Sequence, residues 1–221
     1  MTIRYRIDSL FRQQNIKADR YLPDLQSLRY SVRSVVSNWF ERPAISLLIS
    51  LKISADGATF IGLIIAVISG YYISQGQFLL GGGLVLIGAI FDLLDGGIAR
   101  STGKVTKRGA LTDSVFDRVS EIVILSGLGM YYVNAEKVDS MAVLLAFAAI
   151  GGSLMVSYVR ARAEGLGVKG TAGFLTRPER IVITVTGLVL GYPLIVLWIL
   201  GIGTPLSAIW RFLDSWRAVD N

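Results

Sequence analysis

Four aspartates carry most of the chemistry this chain offers. Asp92 and Asp95 stand three residues apart, and Asp113 and Asp117 four apart, inside the stretch Phe91–Arg118, FDLLDGGIARSTGKVTKRGALTDSVFDR. On helices, each pair projects from one face. Gly96 and Ala99 continue the first face, and Gly109 lies about one turn before Asp113, so a bulky ligand has room against the backbone. Apolar segments long enough to lie in a bilayer flank both pairs. A carboxylate costs about 2.5–3.5 kcal/mol at a helix centre on insertion scales, and four converging like charges also repel. Hard divalent cations relieve both, and an all-carboxylate donor set suits Mg²⁺, Mn²⁺ or Ca²⁺. Helix-end acids that merely face the cytosol are the plainer alternative. A divalent cation transporter lined by these acids and an inert scaffold are two others.

The elements that must position these residues follow from composition. The chain has 221 residues, 52% of them hydrophobic, with a mean hydropathy of +0.57. That is too apolar for an ordinary soluble domain and indicates an all-α integral membrane protein. Cysteine and histidine are both absent, which excludes disulfides, thiol nucleophiles, Cys/His zinc sites and imidazole bases. The net charge of +6 suits anionic lipid surfaces and phosphate-bearing substrates; no nucleic acid is expected, because the basic residues lie between apolar spans.

Residues 1–53 read as a basic amphipathic juxtamembrane segment. No apolar run follows the start, so no cleaved signal is expected. Leu25, Leu28, Val32, Val35, Val36, Trp39 and Phe40 keep helical spacing opposite Arg29 and Arg33, which predicts an N-terminal cytosolic or interfacial helix over 24–40. Residues 54–213 read as six transmembrane helices, and 214–221 as a cytosolic tail. The first four spans are 57–74, 76–99, 109–133 and 141–158. The interval Ile181–Trp210 is 30 residues without a charge, about 45 Å as one helix and too long for a core of about 30 Å. Gly191-Tyr192-Pro193 breaks it into two. Six crossings place the basic N-terminus, the 100–108 and 160–180 connectors, Arg211 and Arg217 on one side, which is cytosolic by the positive-inside rule. The expectation is a multi-pass protein of the cell membrane with both termini and the aspartates on the cytosolic side. Within the third span, Arg118 and Glu121 are i, i+3 and are expected to pair.

A second anion site is suggested at Thr176-Arg177-Pro178-Glu179-Arg180. Thr176 with Glu179 forms a capping box, and the positive helix end carries two arginines suited to a phosphate monoester. Arg160 and Arg162 leave the fourth span on the same side. Ordinary positive-inside decoration is the alternative.

The run Asp92-x2-Asp95-Gly96-x2-Ala99-Arg100-x8-Gly109-x3-Asp113-x3-Asp117 resembles the signature of the CDP-alcohol phosphotransferase family at every position. The resemblance extends from about Ser54 to the C-terminus. It implies a membrane enzyme that moves a phosphate-linked lipid group from a CDP-alcohol to a hydroxyl and releases CMP. It further implies that Asp92, Asp95, Asp113 and Asp117 hold two Mg²⁺ ions, with Mn²⁺ as the alternative, and that Asp117 is the general base. With no histidine in the chain, acid-base chemistry falls to carboxylates, lysine, arginine or tyrosine, and a carboxylate tuned by metal suits the base best. CDP-lipid contacts are implied for Asp56, Thr59, Gly96, Ala99, Arg100 and Thr106. The family usually has proline where Ala55 stands, while Asp56 and Thr59 are kept; simple helix capping is the other role for these residues. Ser157–Glu164 together with Arg177–Arg180 resembles the family members that make phosphatidylinositol phosphate. This implies inositol phosphate as acceptor, held by Arg160, Arg177 and Arg180. Glycerol 3-phosphate, giving phosphatidylglycerophosphate, is the alternative within the family. A homodimer is expected from the resemblance alone.

Overall fold

The computed structural model describes residues 42–168 and 174–219. The amphipathic helix expected over 24–40 lies outside the described residues. Among the described residues all regular structure is helical: α1 (Arg42–Ser50), α2 (Ala55–Ser74), α3 (Phe78–Ser101), α4 (Lys107–Val133), α5 (Ser140–Gly165), α6 (Arg177–Val189) and α7 (Pro193–Val219). The chain divides into one unit over Met1–Lys52, which contains α1, and another over Ile53–Asn221, which contains α2–α7. At 9 residues α1 is about 14 Å long, too short to cross a bilayer.

Local sequence sets the helix ends. Ser54 caps α2 by accepting from the Gly57 amide at 3.1 Å, and Thr106 caps α4 by accepting from the Gly109 amide at 3.0 Å. Asp139 opens α5 by accepting from the amides of Met141 and Ala142. The break at Gly191-Tyr192-Pro193 is present: α6 ends at Val189, Gly191 takes φ +76°, and α7 starts on Pro193, whose missing N–H is not needed there.

Four helices, α2, α3, α5 and α7, are long and apolar enough to cross a membrane. α4 has the length but carries Lys107, Arg108, Asp113, Asp117, Arg118 and Glu121 in its first half. α6 has 13 residues, about 20 Å. Large apolar side chains cover the outside of the α2–α7 bundle, among them Phe60 and Val67 on α2, Phe147 on α5 and Ile195 and Trp210 on α7. A surface this apolar suits lipid contact rather than water. The protein is therefore of the all-helical, multi-pass membrane class.

Short connections make successive helices antiparallel. The buried cluster comes from one end of the bundle: Ile73 at the end of α2, Val85 early in α3, Leu125 and Leu128 late in α4, Leu145 and Ala149 early in α5, Leu188 late in α6 and Leu197 and Leu200 early in α7. The aspartates lie on the late part of α3 and the early part of α4, so the packed apolar end is a base and the polar end holds the chemistry. The base closes through small residues. A Cβ on Gly127 of α4 would stand 2.3 Å from the Gly70 carbonyl oxygen of α2, a backbone atom that cannot swing aside. Gly127→Ala should therefore destabilise the bundle by about 1–3 kcal/mol, the range for overpacking. A thermal melt in detergent checks this, and an unchanged midpoint would show that α2 and α4 part freely.

Candidate active site

The late turns of α3 and the first turns of α4 bring Asp92, Asp95 and Asp113 together, each offering a carboxylate oxygen within 4.8 Å of the others. Asp95 is buried, and its Oδ2 accepts a 2.6 Å hydrogen bond from the Thr59 hydroxyl of α2. That bond fixes the rotamer and leaves Oδ1 for a ligand. Three hard oxygens at this separation fit a divalent cation, and without one their mutual repulsion would be unrelieved. Asp117, one turn beyond Asp113, lies outside this group of three. Its Oδ1 is 2.8 Å from Arg177 Nη2, and Arg177 Nη1 also donates to Asp92 Oδ2. The guanidinium of Arg177 thus spans α3 and α4 from the first residue of α6.

The other residues singled out for the donor lie on the start of α2, the end of α3 and the start of α4. Asp56 follows the Ser54 cap of α2, with its Oδ1 3.4 Å from where a Gly109 Cβ would stand, so the missing side chain lets the two helix starts approach. Arg100 folds back so that its guanidinium lies over Gly96. Ala99 is half-buried on the same helix, and Thr106 acts as the α4 cap. A narrow cavity of about 60 Å³ runs from this cluster into the apolar part of the bundle, between Gly62, Ala66, Gly88, Phe116 and Ile181.

A second, larger cavity of about 890 Å³ opens on the other side of Asp117. Its walls include five arginines: Arg118, Arg160, Arg177, Arg180 and Arg211. Three of these, Arg160, Arg177 and Arg180, were singled out from the sequence. Arg160 is exposed and pairs with Glu164 at 2.8 Å. Arg180 is almost wholly buried and meets both Glu121 oxygens, through Nε at 2.5 Å and Nη2 at 2.8 Å. This corrects the expected pairing within α4: Glu121 turns across to α6, and Arg118 donates instead to the Ser114 carbonyl. The capping box at α6 also takes a different form, because the Thr176 hydroxyl bonds the Glu179 carboxylate rather than a backbone amide.

Arg211 was missed as a site residue, since its charge reads in sequence as ordinary topology bias. It is 4% exposed, and its Nε is buried without a hydrogen bond. A buried guanidinium N–H left unpaired beside four other arginines calls for an anion. The charges are therefore unevenly divided: the aspartate cluster lies on one side of Asp117, a cavity whose five arginines outnumber Asp117, Glu121 and Glu164 on the other, and Arg177 between them.

Residues 52–210 match the family model described as CDP-alcohol phosphatidyltransferase. A phosphatidylinositol phosphate synthase of Mycobacterium tuberculosis is 28% identical over 181 residues, covering 77% of this chain and 83% of the relative. An archaetidylinositol phosphate synthase of Methanothermobacter thermautotrophicus is 31% identical over 172 residues, covering 77% and 83%. Among solved structures, the M. tuberculosis phosphatidylinositol phosphate synthase with CDP-DAG bound superposes with a TM-score of 0.73 at 26% identity, covering 80% of this chain and 94% of that one. The same enzyme in complex with manganese and citrate gives 0.73 at 27% identity, covering 79% and 88%. With the family model spanning most of the chain and the aspartates gathered as described, this protein belongs to the CDP-alcohol phosphatidyltransferase family.

Proposed function

We propose that this enzyme transfers the phosphatidyl group from CDP-diacylglycerol to a hydroxyl of inositol phosphate, releasing CMP and forming phosphatidylinositol phosphate. The observation that carries the reading is the adjacency of two opposite sites. A carboxylate cluster suited to a metal-bound diphosphate borders a five-arginine cavity suited to a phosphate monoester, and Asp117, one turn beyond Asp113, lines that cavity. Relatives named for phosphatidylinositol phosphate and archaetidylinositol phosphate synthesis support the choice of acceptor.

The steps follow from the residues present. Asp92, Asp95, Asp113 and Asp117 would hold two Mg²⁺ ions, or Mn²⁺, which neutralise charge on the diphosphate and on the departing CMP. Asp56, Thr59, Gly96, Ala99, Arg100 and Thr106 line the approach of the CDP moiety, the small residues leaving space and Arg100 supplying charge. Arg160, Arg177, Arg180 and Arg211 orient the acceptor by its phosphate. Asp117 takes the proton of the acceptor hydroxyl as its oxygen attacks the β-phosphorus of the donor. The bond from that phosphorus to the bridging oxygen breaks, and CMP leaves with the electron pair. We read the bundle as six spans in the cell membrane with this site on the cytosolic side, acting as a homodimer.

The test supplies purified protein, CDP-diacylglycerol and Mg²⁺ with inositol phosphate, free inositol, glycerol 3-phosphate or serine in separate reactions. CMP release with inositol phosphate alone is expected. Release with glycerol 3-phosphate alone would transfer the assignment to phosphatidylglycerophosphate synthesis, and none with any acceptor would overturn it. Arg211→Met should raise the acceptor KM about 10-fold or more, the worth of one charge-assisted hydrogen bond, with little change in the KM for CDP-diacylglycerol. Steady-state kinetics in both substrates checks the split.

A further inference from the structure

We propose that Glu121 is a positioning residue for acceptor binding, acting through Arg180; the inference rests on the acceptor reading above. Glu121 follows Asp117 by four residues, so both project from one face of α4. α4 and α6 hardly touch directly. They are joined instead by two ion pairs, Asp117 with Arg177 and Glu121 with Arg180, whose four side chains line both the narrow apolar cavity and the basic one. These pairs form the wall between donor and acceptor sides.

The two pairs differ in how firmly they are held. Arg177 is about 29% exposed and shared between Asp92 and Asp117. The Arg180 side chain is 3% exposed, meets Glu121 through two nitrogens, and donates from Nη1 to the Leu175 carbonyl at 2.8 Å. Leu175 has φ +54°, a left-handed conformation that a leucine adopts only when its surroundings impose it. Its side chain packs where a Gly203 Cβ would stand, and the preceding Phe174 carbonyl accepts from the Ser207 hydroxyl. Glu121 therefore anchors Arg180, Arg180 holds the entry turn of α6, and that turn aims Arg177. A guanidinium has five N–H donors, and three are used in these contacts. The remaining N–H groups on Nη1 and Nη2 are the ones a phosphate oxygen can reach. Glu121 sets their direction without touching the substrate.

The test is a mutant cycle on full-length protein in detergent, reading inorganic phosphate binding by calorimetry and the KM values for inositol phosphate and CDP-diacylglycerol. Glu121→Gln keeps the shape but loosens the grip on Arg180. It should weaken phosphate binding and raise the acceptor KM about 10-fold, with the donor KM within about twofold of wild type. Removing Glu121 should have no further effect once Arg180 is gone, so Arg180→Met and the double variant E121M/R180M should bind phosphate equally weakly. The apolar double variant also guards against misfolding, because it leaves no unpaired buried charge. Phosphate affinity unchanged in Glu121→Gln would overturn the inference. So would further weakening of the double variant beyond Arg180→Met, or wild-type phosphate binding in the double variant. The phosphate measurement needs no turnover. A failure of the acceptor reading therefore shows separately, as wild-type protein that binds phosphate but releases no CMP with inositol phosphate.

Discussion

Asp117→Asn should lower turnover by about 10²–10⁴-fold while CDP-diacylglycerol still binds. That range is the usual worth of a positioned general base. The substitution keeps the shape and one acceptor oxygen but removes the oxygen that, on the proposed mechanism, would receive the acceptor proton. No histidine or cysteine is available to replace it. Of the four aspartates, Asp117 is the one that lines the larger cavity, 2.8 Å from Arg177, where the acceptor hydroxyl would arrive. Single-turnover CMP release, with donor binding measured separately, distinguishes loss of the base from loss of the donor site. Near-normal single-turnover rates would remove Asp117 from proton transfer and leave only a charge role.

Asp113→Asn carries the second large effect, on a different step. Asp113 comes from α4 whereas Asp92 and Asp95 come from α3, so it closes the cluster across two helices. A neutral amide offers a weaker ligand and no longer offsets the cation's charge. Outer-shell partners of a metal site are worth 10–100-fold in affinity, so losing a direct carboxylate should weaken Mn²⁺ binding by more than about 100-fold. Activity should fall with it and recover partly at high metal concentration. Asp117→Asn, by contrast, should not be rescued by added metal, because Asp117 lies outside the cluster of three. Equal rescue of both variants would mean that the roles assigned to the two aspartates are not separate.

Much of this was legible in the chain. The i, i+3 and i, i+4 spacings put each aspartate pair on one helical face, and three of the four carboxylates do converge. Thr106, singled out only as a donor contact, turns out to cap α4, its hydroxyl satisfying an amide that the helix cannot. Gly191 and Pro193 mark the break before α7 because one tolerates positive φ and the other cannot continue a hydrogen-bonded helix. What failed was partner choice across helices. Arg118 is three residues from Glu121 and Arg180 is 59 away, yet the distant residue wins. The neighbour reaches its own helix carbonyl, whereas buried Arg180 meets both Glu121 oxygens and the Leu175 carbonyl. Arg211 was hidden for a related reason. A basic residue at the end of an apolar helix satisfies the topology rule whether it faces lipid headgroups or an internal cavity, and only packing separates the two. The role of Arg177 as a bridge to Asp92 lies 85 residues from its partner and has no local signal.

The proposed chemistry depends on Asp92, Asp95 and Asp113 holding a divalent cation against the donor's diphosphate. Mn²⁺ binding to purified protein, followed by electron paramagnetic resonance with and without CDP-diacylglycerol, tests it most directly. Saturable Mn²⁺ binding is expected, tightening when the CDP-lipid is added and lost in both Asp95→Asn and Asp113→Asn. Mn²⁺ binding that ignores the CDP-lipid and survives both substitutions would contradict it.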